Sequence, residues 1–174
     1  MNKKYIVDAN VFIQGKNFHY DFAFCAGFWD WIESGYNAGV IYSVRKVREE
    51  LLAGNKGDLG RAWAMSMPIG FFLEDVNDVA LMKEYGRIMT WANKDTHYSE
   101  AAKLKFADVK KADAFLLACA KTYGHEIVTQ EKSNLAKKSN IPIPDAANKL
   151  GKINTLTIYE LLTKHAKSTF QFKP

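Results

Sequence analysis

The sequence predicts an α/β fold, a parallel sheet with helices on both faces, and three observations carry that expectation. Short, almost wholly apolar runs (Tyr5-Ile6-Val7, Val40-Ile41-Tyr42 and Ile127-Val128) read as strands buried on both faces. Longer segments with helical spacing of their apolar residues fall between these runs. The 174 residues are one domain's length, and 48% apolar against 25% charged residues is a globular balance. A single domain over residues 1–174 is expected, with no repeat and no Pro/Gly/Ser linker.

Residues 4–8 form the first strand and end in an acid, Asp8. The later part of 22–34, with Phe28, Trp29, Trp31 and Ile32, forms a helix, and residues 40–42 form a second strand. Ser43 caps a helix through about Ala53, stopped by Gly54. Two helices, near 58–67 and 77–93, enclose a short strand at 71–73. A helix from Asp108 to Tyr123 stops at Gly124, and residues 126–129 form the next buried strand. Asp145 caps a short helix through Leu150, 153–157 is the last strand, and 158–166 the last helix.

Composition narrows the function. The apolar run at the N-terminus is broken at once by Asp8, unlike a signal peptide, and no stretch approaches the ~20 apolar residues of a membrane span. Cys25 and Cys119 match no zinc or redox spacing, so a reducing, cytoplasmic compartment is expected. Residues 1–87 carry a charge balance of −1 and residues 88–174 one of +6. The basic half, with Lys103, Lys105, Lys110, Lys111, Lys132, Lys137 and Lys138, suits a polyanion as well as an ordinary solvated surface. Lys outnumbers Arg twenty to four, which favours backbone phosphate contact over bidentate base reading.

Ligands of a parallel sheet sit beyond the carboxyl ends of its strands. Asp8 lies there, and so does Glu131, two residues past Thr129. On the 108–123 helix, Leu116, Leu117 and Ala120 fall within about 60° of Asp113. A carboxylate on that apolar face is costly unless paired or bound to a metal. Glu50 flanks the apolar stripe of Val44, Val47 and Leu51, whereas Glu49 points to solvent toward Lys46 or Arg45. Capping, buried ion pairs or surface roles would explain each acid alone. Converging, the four cannot all stay ionised without a cation. Oxygen ligands with no convergent His or Cys favour Mg²⁺ or Mn²⁺, which can activate water against a phosphodiester. Acids within a basic surround read as a nuclease.

Four segments in order resemble the PIN (PilT N-terminus) domain nucleases over nearly the whole chain. They are Ile6-Val7-Asp8-Ala9-Asn10-Val11-Phe12-Ile13, Val47-Arg48-Glu49-Glu50-Leu51, Ala112 to Ala120 around Asp113, and Ile127-Val128-Thr129-Gln130-Glu131. Tyr20 to Trp31 and Gly57 to Trp63 are similar to a bacterial PIN-like branch of unassigned function. The resemblance implies a three-layer αβα sandwich around a mainly parallel sheet of four to five strands, and a metal-dependent endoribonuclease. By position, Asp8, Glu50, Asp113 and Glu131 would be catalytic and hold Mg²⁺ or Mn²⁺. Asn10 would orient Asp8, Thr129 would support the site, and Lys110, Lys111 and Lys132 would contact RNA. It also implies a toxin role like that of VapC-type proteins, with an antitoxin partner and a homodimer. The chain departs from the pattern with Glu at 131, where Asp is common, and with Ser133, where many relatives carry another Asp. Asp145 is then a spare acid, although capping explains it too.

Other chemistry is set aside. His19, His97, His125 and His165 have no metal-ligand spacing, and no glycine-rich phosphate loop is present. The Phe/Trp-rich segment 18–31 suits core or dimer packing, or stacking on bases. An aspartyl-phosphate phosphohydrolase would want an acid two residues after Asp8, where Asn10 stands. A non-catalytic RNA- or partner-binding module with the same fold is the remaining alternative.

Overall fold

The apolar runs become the strands of a five-stranded sheet, seen in a computed structural model that describes residues 3–174. Residues 1–2, the head of the expected domain, lie outside the described residues. The first half contains β1 (Tyr5–Val7), α1 (Ala9–Gln14), a π-helical turn (Gly15–His19), α2 (Ala26–Asn37), β2 (Ile41–Val44), α3 (Arg45–Leu52), α4 (Leu59–Ser66) and β3 (Phe72–Leu73). The second contains α5 (Val79–Lys94), α6 (Glu100–Phe106), α7 (Asp113–Tyr123), β4 (Glu126–Val128), α8 (Ile143–Leu150), β5 (Thr155–Leu156) and α9 (Ile158–His165).

The strand order is β3-β2-β1-β4-β5 and every pairing is parallel. Ile6 lies beside Tyr42 on one side and Ile127 on the other. From β1 the chain first builds toward β3 and later returns to place β4 on the opposite side, so the switch in strand order falls between β1 and β4. Such a point opens a crevice at the carboxyl edge. Helices flank the sheet, giving a three-layer sandwich. Pleating sends Tyr5 toward His165 of α9 and Ile41 toward Gly35 of α2, whereas Tyr42 on the other face lies over His125. At Gly35 a Cβ would come 2.4 Å from Ile41 Cδ1, so glycine is what lets α2 settle onto β2. Gly124 ends α7 at φ +70°, the left-handed stop expected there.

The aromatic segment supplies core. Phe22 stacks on Trp29 at 4.1 Å, Tyr20 on Phe28 at 4.0 Å, and Trp63 meets Phe12 and Trp29 at 4.9 Å each. Trp31 is 1% exposed, and its Nε1 donates to the His165 carbonyl at 3.0 Å. The tail after α9 folds back: Ala166 bridges Phe172, and the Phe172 ring lies 6.3 Å from that of Trp31. No helix among the described residues is long and apolar enough to cross a membrane.

Several expected boundaries move. No helix begins at Asp108. That side chain accepts from Lys110 N and its carbonyl from Lys111 N, closing a turn, and α7 starts at Asp113. Ser43 caps nothing: it is buried inside β2 and donates to the Val7 carbonyl at 2.6 Å, tying β2 to β1. Asp145 does not cap α8 either, because it lies inside the first turn behind Pro142. β5 is confined to two residues, and α1 and α6 fall in stretches read without a helix.

Candidate active site

The carboxyl edge between β1 and β4 holds a cleft of about 260 Å³. Asp8, Glu50, Asp113 and Glu131 all line it, together with Asn10, Lys105 and Lys111 and the apolar side chains of Ile13, Phe106 and Ile141. Asp8 enters directly from the end of β1, Glu50 from α3, Asp113 from the first residue of α7, and Glu131 from the loop after β4.

A hydroxyl organises the centre. Thr129 Oγ1 accepts from Asn10 Nδ2 at 3.0 Å and from the Glu131 amide at 3.1 Å. With both acceptor positions filled, its single proton goes to Asp8 Oδ2 at 2.8 Å. Asn10 Oδ1 accepts from the Gln130 amide at 3.0 Å, and these opposed partners fix which way its amide faces. Asn10 was expected to orient Asp8 directly. It acts instead one bond removed, by holding Thr129 and the loop after β4.

Glu50 and Glu131 are each half pinned. Glu50 Oε1 accepts from the Ala112 amide at 2.7 Å, at the start of α7, and Glu131 Oε2 from the Ile143 amide at 2.6 Å, at the start of α8. Neither helix has a capping side chain of its own, so these acids satisfy amides that would otherwise be orphans. Asp113 accepts no hydrogen bond from another residue among the described residues. Each of the four therefore keeps at least one oxygen for the cleft. Asp145 stands apart: Ser133 Oγ (2.5 Å) and the Asn134 amide (3.0 Å) occupy its two oxygens, and it does not line the cleft. Glu49 is paired with Lys46 on the solvent side.

All four carboxyls hold their protons more tightly than usual. Burial is the main cause in each case. For Asp8, pushed well above the ordinary range, the neighbouring charge of Asp113 adds to it and the Thr129 hydrogen bond opposes it. Lys111 draws down Glu50 and Asp113, and Lys105 draws down Asp113 and Glu131. No ion pair among the described residues joins either lysine to these acids. The folded chain thus holds extra protons between the ordinary values of 3.8 and 4.5 and the raised ones, and this contribution to stability falls as pH rises through that window. Asp113→Asn is accordingly expected to melt above wild type in EDTA at about pH 7.5, with the gap closing toward about pH 4. Paired thermal melts check this, and a mutant that melts lower at every pH would mean Asp113 has a stabilising partner.

Of the expected substrate-contacting lysines, Lys111 lines the cleft, whereas Lys110 and Lys132 do not. Lys110 sits in the turn beside Asp108, and Lys132 in the loop past Glu131. Lys105, counted in the basic half but not among the substrate-contacting lysines, also lines the cleft, and it stands on α6, in a stretch read without a helix. Its signal was Ala102 and Phe106, buried one turn apart, with Lys105 on the open side between them.

Among the described residues, no three Asp, Glu, His or Cys side chains are placed to hold a metal ion as they stand. Mg²⁺ does not require such a cage, since it keeps several waters and is commonly bound by one or two carboxylates plus substrate phosphates. The free oxygens, raised carboxyls and missing ion pairs fit a hard cation on these grounds.

Fold and cleft together define a parallel α/β protein with a carboxylate-lined crevice at its topological switch point. The chain belongs to the DUF4411 family, a domain of unknown function whose profile matches residues 5–170. No curated protein matches it.

Proposed function

We propose that the chain is a divalent-metal-dependent endoribonuclease. The observation that supports this best is the set of four carboxylates from separate elements around one cleft, each with an oxygen to spare, beside two lysines that neutralise none of them by pairing. The four PIN-like motifs supply the reaction class. Mg²⁺ or Mn²⁺ would be held by Asp8 and Asp113 with Glu50 or Glu131, and would supply an activated water and charge neutralisation at the phosphate.

The chain's own groups do the rest. Thr129 keeps one Asp8 oxygen occupied, so the other faces the cleft, and Asn10 keeps Thr129 in place. Lys105 and Lys111 line the cleft with no carboxylate partner among the described residues and would meet a phosphate there, an arrangement that reads backbone rather than base. The product ends would be a 5′-phosphate and a 3′-hydroxyl. The resemblance extends the proposal to a toxin with an antitoxin partner and a homodimer, and the cysteine usage extends it to a cytoplasmic setting.

Calorimetric titration with Mn²⁺ tests the metal directly. Wild type is expected to bind, and to melt several degrees higher when Mn²⁺ is near a hundred times its Kd, a stabilisation of about 2.7 kcal/mol. Asp113→Asn should lose most of that gain. Absence of Mn²⁺ binding to folded wild type would remove the catalytic reading. A second reading, a non-catalytic RNA- or partner-binding module, is favoured by the absence of a ready three-ligand group among the described residues. RNA binding indifferent to metal, with no cleavage, is its signature.

A further inference from the structure

Most of the aromatic segment is consumed by the core, but part of its beginning is not. Phe18 is 73% exposed and His19 is also at the surface, both in the π-helical turn that prolongs α1. Tyr159, 49% exposed, stands in the first turn of α9, with its ring 6.1 Å from that of His19 at 75°. The Phe18 ring lies 6.4 Å from that of His19 at 57°. Single exposed apolar residues are ordinary, but three adjoining aromatic rings are a patch.

The location matters more than the exposure. α9 starts directly after β5, so Tyr159 lies at the carboxyl edge of the sheet, the edge that opens into the cleft. The π-helical turn follows Gln14, and Ile13 and Gln14 line the cleft. Patch and cleft are thus successive parts of one surface along α1.

The turn is also firmly held. Lys16 pairs with Asp58 at 2.7 Å, the Tyr20 amide donates to the Gly15 carbonyl at 2.7 Å, and Tyr20 stacks on the buried Phe28. Rigid backing with outward rings is the reverse of a core in the making. Two of the three side chains carry a polar handle, His19 and Tyr159, which suits a wet face rather than a dry protein contact. The exposure of Phe18 and Tyr159 leaves ring surface open for a flat ligand. Aromatic faces accept any base, and paired bases in a duplex present none.

We propose that Phe18, His19 and Tyr159 form a stacking platform for an unpaired nucleobase, so that the nucleic acid leaving the cleft along α1 is single-stranded. This rests on the nuclease reading for its ligand, but it concerns binding, and its test needs no cleavage. A 5′-labelled single-stranded RNA 12-mer and the blunt duplex of the same sequence are titrated in EDTA by fluorescence anisotropy. The full chain carries Asp113→Asn, which removes one repelling charge from the cleft. The single strand should bind more tightly than the duplex. Phe18→Ala or Tyr159→Ala should each weaken it by roughly five- to a hundredfold, with duplex binding unchanged. Tyr159→Phe, which keeps the ring, should stay within about twofold of the parent. Quenching of 2-aminopurine placed along the strand should disappear in Tyr159→Ala, which reports stacking rather than charge. Both side chains are exposed, so the variants should melt like the parent.

Unchanged single-strand affinity in both alanine variants would overturn the platform, as would equal preference for the duplex or no binding of either. A dimer in sedimentation that Phe18→Ala or Tyr159→Ala dissociates, with RNA affinity unaffected, would reassign the patch to contact between two copies. Failure of the nuclease reading looks different: no Mn²⁺-dependent cleavage by wild type while stacking-dependent binding persists.

Discussion

Asp8→Asn and Asp113→Asn are each expected to abolish Mn²⁺-dependent cleavage of RNA while the chain stays folded. A metal's contribution of several kcal/mol to transition-state charge stabilisation corresponds to a loss of about a thousandfold or more. The two substitutions remove the charge in different settings. Asn at position 8 retains an oxygen for the Thr129 hydroxyl, so the network through Asn10 and Glu131 persists and the lesion is confined to charge. At position 113 no hydrogen bond from another of the described residues is lost, and a buried charge is relieved. Inactive variants at least as stable as wild type in EDTA would therefore separate a functional acid from a structural one. Cleavage at wild-type rate by both would sink the nuclease assignment, with denaturing gels on a mixed RNA pool as the assay.

Trp31→Ala should be the most damaging change away from the cleft. The ring is 1% exposed, its centroid lies 6.0 Å from that of Phe28 and 6.3 Å from that of Phe172, and its N–H satisfies the His165 carbonyl at the end of α9. Truncating a buried Trp to Ala costs about 3–5 kcal/mol. At roughly 2–4 °C per kcal/mol for a chain of this size, the melting temperature should fall by about 6–20 °C. Trp31→Phe keeps most of the volume and loses the hydrogen bond, so a drop of a few degrees is expected. Carboxypeptidase should trim the last residues faster in Trp31→Ala, because Phe172 loses its seat. Circular-dichroism melts and a digestion time course read both effects, and an unchanged melting temperature would mean that the tail and α9 do not lean on α2.

The parts of this architecture that were legible in sequence are those governed by local pattern. Ile6-Val7 and Ile127-Val128 announce central parallel strands because both faces are apolar, and Gly124 announces the end of α7 because a left-handed residue must follow. Asp8 and Glu131 could be placed at the sheet edge simply by counting from those strands. What stayed hidden depends on partners far along the chain. Asp108 has the residue type of a helix cap, yet α7 begins at Asp113, with Glu50 docked on the Ala112 amide from 62 positions away. Asp145 resembles a cap and instead satisfies the loop at Ser133 and Asn134. Asn10 and Thr129 could be named, but not the order of their bonds. The place of Lys105 at the cleft was hidden with α6, seven residues whose buried side is only Ala102 and Phe106.

The wiring of the cleft also sets a time at which it can exist. Asp8 is made 121 residues before Thr129, whose hydroxyl orients it, and Glu131 is steadied by the amide of Ile143. β1 has no β4 beside it until translation has passed residue 128. During synthesis the acids are thus scattered along a nascent chain with no pocket to share until β4 and the loop after it have been made. The cleft is thus a late product of chain order, incomplete until its last contributor, the amide of Ile143, has been made.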